Sequence, residues 1–146
     1  MDFMSAFDIA GSALSAQRTY MNVIAMNLAN AKTTSTADGP GPYQRKAVSL
    51  ASTQLTPFGK AMGDALSAED AQGVRVTGIV ADKRPPKRVY EPGHPDADKE
   101  GFVSYPDINV VEEMTNMIQA TRGYEANTTT INTVKAMYNK ALEIGK

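Results

Sequence analysis

Few residues of this chain have types and spacing that could support chemistry. The only histidine is His94, in the segment EPGHPDADKEG, with Asp96 and Asp98 close by. These side chains could hold a metal ion, but the chain has no cysteine and no second histidine to complete a metal-binding pair. The acidic residues also lack the loop length, glycine and terminal glutamate of a calcium site. We therefore predict a solvated loop histidine, no bound metal and no cofactor.

Acid–base catalysis is no better supported. Glu112 and Glu113 are adjacent in the sequence, and consecutive residues of a helix point about 100° apart, so a shared carboxylate site is not expected. There is no phosphate-binding glycine loop, no nucleophile elbow and no zinc-protease motif. An enzyme acting on the cell wall would lack the acid–base geometry that it needs. The sequence predicts a protein that is not an enzyme.

One basic cluster, KRPPKR at residues 83–88, could contact an anionic polymer. Asp82 and Glu91 flank the cluster, and no aromatic residue interleaves it. The formal net charge of the chain is −1, so no global basic field attracts nucleic acid. A solvated turn between two strands is the favoured interpretation, and we expect neither nucleic acid nor a small-molecule substrate as a ligand.

Length and composition fit one ordinary domain, or a small domain with long appendages. The chain has 146 residues, of which 42% are hydrophobic and 21% charged, a balance that is not typical of disorder. Its first residues include Asp2 and Asp8, where a cleavable signal peptide would carry basic residues. No run approaches the roughly 18 apolar residues of a membrane span. Export, if it occurs, is expected to use a route without a cleavable signal.

The prolines divide the chain into three parts. All 8 prolines lie between residues 40 and 106, and proline disrupts a helix interior. We predict an N-terminal axial helix over 1–32, a hinge and β-rich middle domain over 33–106, and a C-terminal axial helix over 107–146. The fold class is α+β, with the two helices pairing as an antiparallel coiled coil. Strand signals lie at residues 43–50, 73–80, 87–90 and 101–105, with loops at 56–70 and 91–101.

Both predicted helices carry apolar residues at alternating spacings of three and four, which is the coiled-coil period. We predict that these stripes form the helix and subunit interface, through Phe7, Leu14, Met21, Ile24, Leu28, Val110, Met114, Met117, Tyr124, Ile131, Tyr138 and Leu142. Two polar members of the stripes, Gln17 and Thr121, are candidates for setting the helix register. The alternative, that both face solvent at a seam, stays open.

Residues 1–32 carry more apolar surface than one stripe, and only four charges. An ordinary surface helix keeps one polar face, so we expect more than one side to be covered. The C-terminal helix would cover one side, and other subunits are the simplest candidates for the rest. Both helices would then be loose in the monomer and become ordered on assembly. The alternative is a free-standing coiled-coil protein-binding module.

Two long segments resemble a known family. The segment GSALSAQRTYMNVIAMNLANAKTTST resembles the N-terminal signature of flagellar basal-body rod proteins, and Asn27, Asn30 and Thr33 fit its NxANxxT core. Residues 90–146 are similar to the second half of a proximal-rod member of that family. Gly123 departs from the family pattern, which usually has alanine there, and the departure bears only on local helix stiffness.

The resemblance implies a structural subunit of the bacterial flagellar basal-body rod. Its terminal helices would pack with other rod proteins and with copies of itself into a hollow periplasmic cylinder, with the middle domain outside. That cylinder would act as a torque-transmitting drive shaft and as the wall of an export channel. Implied partners also include the membrane ring and adapter protein of the basal body. The flagellar type III export apparatus would deliver the chain.

Overall fold

The computed structural model describes residues 3–36, 41–54 and 72–144. Two long helices flank a short β region in the sequence. Helix α1 spans Phe3–Ala29 and helix α2 spans Val110–Ile144. Four strands lie between them in the described residues: β1 (Lys46–Gln54), β2 (Gln72–Ala81), β3 (Lys87–Tyr90) and β4 (Phe102–Tyr105). The predicted α+β architecture of terminal helices around a small β region is thereby confirmed. The loop predicted at residues 56–70 lies outside the described residues.

Asn109 begins helix α2. Its side-chain Oδ1 accepts hydrogen bonds from the backbone N–H groups of Val111 (3.1 Å) and Glu112 (3.4 Å), which are otherwise unpaired in the first turn of a helix. Glu112 and Glu113 both lie in that turn, where the helix dipole favours negative charge. Asn109 is therefore the N-terminal cap of α2, whereas the nearby Asp107 forms ion pairs with Arg84 and Lys87.

The strands form two separate antiparallel hairpins. In the β1–β2 hairpin, Ser49 pairs with Gly78 but Leu50 pairs with Val76, so Thr77 is an extra residue on β2. This bulge lies beside Gly78, and glycine in a strand often marks such an irregularity. The β3–β4 hairpin pairs Lys87 with Tyr105 and ends at Gly101, whose φ of 82° suits glycine.

The second side of α1 is covered by the β1–β2 hairpin of the same chain. Ser12 of α1 accepts a hydrogen bond from the backbone N–H of Val74 in β2 (3.1 Å). Ala16 and Val23 of α1 are both buried. The hairpin therefore covers part of the apolar surface that was expected to meet other subunits, while Met26 of α1 stays exposed in the single chain.

Candidate functional site: the helix seam and a buried polar junction

Helices α1 and α2 pack antiparallel along one seam. Contacts that fix the direction are Asn27 with Glu113 near one end, Met21 with Thr121, and Gln17 with Gly123 further along. Along the seam, residue numbers decrease in α1 and increase in α2, so the two helices run in opposite directions. The residues of α2 that are covered at the seam recur with a mean spacing of 3.5 and are Glu113, Met117, Ala120, Gly123, Asn127, Ile131 and Val134.

On α1, the predicted interface residues lie in covered positions. Ile24 is only 2% exposed, and Leu14, Met21 and Leu28 are half-buried, as is Phe7. This helix therefore places its predicted stripe against the rest of the chain.

On α2, the predicted stripe runs mostly beside the seam. Met117 and Ile131 are half-buried at the seam. The remaining predicted residues of this helix are exposed in the single chain, and they are Val110, Met114, Tyr124, Tyr138 and Leu142. Val111, Ile118 and Met137 are exposed as well. Within one chain, α2 therefore carries an apolar surface that α1 does not cover.

Gln17 and Thr121 have different surroundings. Gln17 lies against Gly123, where an added Cβ would come within 3.0 Å of the Gln17 Nε2 atom. The Gln17 Oε1 atom is buried and has no hydrogen-bond partner among the described residues. Thr121 is exposed, and its hydroxyl donates to the Met117 carbonyl (2.9 Å), with Met21 Sδ at 3.7 Å. Gln17 is thus enclosed at the seam, whereas Thr121 lies at its margin.

Asn27 is the centre of a buried polar junction between α1, β1 and α2. The residue is 1% exposed. Its Nδ2 donates to the Lys46 carbonyl (2.8 Å) and to Glu113 Oε2 (3.3 Å). Its Oδ1 accepts from the Lys46 backbone N–H (2.9 Å) and from the Tyr43 hydroxyl (3.1 Å). All the hydrogen-bonding capacity of the amide is directed at other elements, so Asn27 fixes the start of β1 against both helices.

Glu113 and Arg45 form the charged half of this junction. Glu113 is 1% exposed, and its Oε1 lies 2.6 Å from Arg45 Nη2 and 2.8 Å from Arg45 Nε. A buried carboxylate is tolerated when it is paired and hydrogen-bonded, and both conditions hold here. Burial, and secondarily the charge of Glu113, raises the pKa of Tyr43. Tyr43 therefore remains a neutral hydrogen-bond donor to Asn27.

The junction continues outward into ion pairs that neutralise the basic cluster. Arg45 also lies 3.5 Å from Asp82, and Asp82 pairs with Arg84 at 2.8 Å. The side-chain hydrogen bond from Arg84 lowers the pKa of Asp82, and the one from Lys87 lowers the pKa of Asp107. Three of the four basic side chains of the cluster thus have acidic partners, Arg88 through Asp98, which agrees with a turn and not an anion-binding surface.

The two other motif residues shape the end of α1. Asn30 Nδ2 donates to the Met26 carbonyl (2.9 Å), and Thr33 Oγ1 donates to Asn30 Oδ1 (3.1 Å). The backbone N–H of Tyr43 then bonds to the Thr33 carbonyl (3.2 Å). The turn that ends α1 is therefore hydrogen-bonded to Tyr43, whose hydroxyl donates to Asn27.

His94 has a structural setting. Its Nδ1 accepts the backbone N–H of Asp96 (3.1 Å), and its ring packs edge-on against Tyr105. Among the described residues there is no group of three or more potential metal ligands. In that same part of the chain, no helix is long and apolar enough to cross a membrane.

Sequence reasoning missed Arg45, Tyr43 and the burial of Glu113 as parts of one site. Arg45 and Glu113 are 68 residues apart in the chain, and neither belongs to a pattern that marks it. Only Asn27 was indicated, through its motif.

Comparison with known proteins gives a consistent result over the full length. The family model "Flagella basal body rod protein" matches residues 7–35, and "Flagellar basal body rod FlgEFG protein C-terminal" matches residues 99–144. The chain is 44% identical over 150 residues to flagellar basal-body rod protein FlgC of Borreliella burgdorferi, covering 99% of this chain and 98% of that protein. It is 42% identical to FlgC of Salmonella typhimurium, with both chains covered completely. It is 41% identical to FlgC of Bacillus subtilis, over 98% of this chain and all of that protein.

Proposed function

This chain belongs to the FlgC family of flagellar basal-body rod proteins and is a structural subunit of the rod. From that premise we propose how the subunit packs in the rod and transmits torque. It assembles with other rod proteins of the basal body. Helices α1 and α2 form a coiled-coil unit that runs along the rod, and the residues between them, 33–106, form an outer domain. Residues 1–32 and 107–146 supply the axial helices.

The uneven burial of the two helices is the observation that supports this proposal. Helix α1 packs against α2 and the β1–β2 hairpin on two of its sides, whereas α2 exposes large apolar side chains beside the seam: Val110, Val111, Met114, Ile118, Tyr124, Met137, Tyr138 and Leu142. Burying such residues releases about 25 cal/mol per Å². Helix α2 is therefore the element with most to gain from neighbouring subunits.

Threonines strengthen that interpretation of α2. Six of them donate their hydroxyl to the carbonyl four residues earlier: Thr115, Thr121, Thr128, Thr129, Thr130 and Thr133. Because these donors are already used, the side chains need no hydrogen-bond partner from another molecule. The middle of α2 can then pack closely against a neighbour through the threonine methyl groups.

The polar junction gives the subunit its rigidity under load. Asn27, Arg45 and Glu113 tie the end of α1, the start of β1 and the start of α2 into one body. Torque passing along the axial helices therefore reaches the outer hairpin through hydrogen bonds and an ion pair held within a buried site.

The remaining assignments follow the same proposal. The rod crosses the periplasm as a drive shaft and export-channel wall, and it receives torque from the membrane ring of the basal body. An adapter protein joins the rod to the export machinery, and the flagellar type III apparatus delivers the subunits. The predicted register-setting role of Gln17 remains part of the proposal, supported by its enclosure against Gly123.

The test is incorporation into basal bodies in a motile bacterium whose resident FlgC is replaced by this chain. Met114→Asp places a charge on the exposed apolar surface of α2, and we expect loss of swimming and absence of the variant from isolated basal bodies. Gln119→Asp is the matched control, because Gln119 is exposed on another face of the same helix and should be silent. Normal incorporation of Met114→Asp would contradict the role of this surface.

A further inference from the structure

Each helix has an outer line of exposed residues that repeats with the coiled-coil spacing. The α1 outer line consists of Asp8, Gly11, Ser15, Arg18, Asn22, Ala25 and Ala29. The α2 outer line consists of Val111, Met114, Ile118, Thr121, Glu125, Thr128, Asn132 and Lys135. Steps along both lines alternate between three and four residues. Each line therefore has the spacing of the a and d positions of a heptad, which form the contact face of a coiled coil.

The two lines are complementary in one antiparallel register. If Arg18 faces Glu125, the matching steps place Asp8 opposite Lys135, and two pairs of opposite charges meet. The same register places Ala25 opposite Ile118, and Ala29 opposite Met114. Large apolar side chains of α2 then meet small ones of α1. The remaining pairs join small or polar residues, and they are Gly11 with Asn132, Ser15 with Thr128 and Asn22 with Thr121.

No like charges meet in this register. Asp8, Arg18, Glu125 and Lys135 are the only charged members of the two outer lines, and all four are exposed. None of them forms an ion pair with a described residue of its own chain. Charge complementarity and apolar size therefore agree on this alignment.

We propose that the α1 outer line of one copy docks antiparallel on the α2 outer line of a second copy, with Arg18 facing Glu125. This inference rests on the proposed function and specifies the neighbour and the face. The α1 and α2 outer lines of one chain are both exposed, so the contact requires another molecule. Because the two faces differ, the contact is heterologous, and each bound copy offers a new face to the next.

Cysteine cross-linking tests the register directly. The chain contains no cysteine, so introduced residues form the only disulfides, and these require Cβ atoms about 3.5–4.5 Å apart. Cells would co-produce one copy with Ala25→Cys and another with Ile118→Cys, and isolated basal bodies would be oxidised. We expect a cross-linked dimer that contains both variants. The matched control combines Ala25→Cys with Asn132→Cys, which lies 14 residues, roughly 21 Å, further along the helix and should give no dimer.

Charge reversal tests the same register through function. Arg18→Glu should weaken each contact about fivefold, equivalent to about 1 kcal/mol, and reduce swimming. Arg18→Glu combined with Glu125→Arg should restore it. Basal bodies that contain the chain but give no cross-link would overturn the docking and leave the rod function intact. A cross-link from Ile118→Cys to a different rod protein would overturn it too. Absence of the wild-type chain from basal bodies would instead refute the proposed function.

Discussion

Replacing Asn27 by aspartate should destabilise the fold more than any other change of similar size on α1. The substitution exchanges the Nδ2 donor for an oxygen that lies 3.3 Å from Glu113 Oε2 and 2.8 Å from the Lys46 carbonyl. Two hydrogen bonds become repulsive contacts in a site that is 1% exposed. At an effective dielectric constant of about 20, two charges at that separation repel by about 5 kcal/mol.

The net loss is smaller because Arg45 lies beside Glu113 and compensates part of the repulsion. We expect the free energy of unfolding to fall by about 3 to 5 kcal/mol at pH 7, which is a large part of the roughly 5–15 kcal/mol typical of a domain. The pKa of the introduced carboxyl group would be raised by burial and by Glu113. The penalty is present while that carboxyl group is ionised, so it should shrink as the pH falls through the raised pKa.

Urea unfolding followed by circular dichroism, at pH 7 and pH 5, measures both effects. Asn22→Asp is the matched control, since it makes the same chemical change at an exposed site of the same helix. Adding Glu113→Gln to Asn27→Asp should recover part of the lost stability by removing the like charge. If Asn27→Asp lowers the free energy of unfolding no more than Asn22→Asp does, or if Glu113→Gln restores none of it, the junction does not stabilise the fold as we infer.

Three further predictions concern the junction, the seam and the basic cluster. Because the pKa of Tyr43 is raised from its usual value of 10.0, the fold should lose stability as the pH rises above that value. Tyr43→Phe should flatten this alkaline decline in the thermal midpoint. Gly123→Ala should be nearly neutral alone, because the gain of about 1 kcal/mol in helix propensity is offset by displacing Gln17, but it should stabilise a Gln17→Ala background. Lys87→Ala with Arg88→Ala should leave swimming unchanged, since both cations pair with aspartates of their own chain; lost motility would restore a contact role for the cluster.

The helices and strands were predictable because their signals are local. Prolines confined to residues 40–106 leave only the two ends free for long helices, and β-branched residues mark β2 from Gly73 onward. Glycine is an equally local signal, since the bulge of β2 lies beside Gly78. The coarse fold follows from such patterns without any knowledge of long-range contacts.

The face of α2 that meets α1 was not predictable from apolar spacing alone. At the seam, α2 presents Glu113, Ala120, Gly123 and Asn127, which are charged, small or polar, while many of its large apolar residues lie beside the seam. Apolar periodicity reports every surface that is destined for burial, and here it mixes contacts within the chain with an uncovered face. Apolar spacing alone does not tell which of these residues are covered within the single chain.

The junction was missed for a different reason. Arg45 and Glu113 are brought together only when the chain reverses between β1 and α2. Neither residue has a partner at a spacing that sequence rules recognise. Buried polar clusters of this kind become visible only once tertiary contacts are known.

The two helices differ in length, 27 residues against 35, and this has a consequence for how copies are stacked. Gln17 of α1 lies level with Gly123 of α2, so the first residue of α1 lies level with about residue 137 of α2. The final turns of α2 therefore extend about 10 Å past the start of α1. Tyr138 and Leu142 lie on this overhang. In the proposed rod, stacked copies would have staggered ends, and a bending force would be spread over overlapping layers instead of being concentrated at one plane.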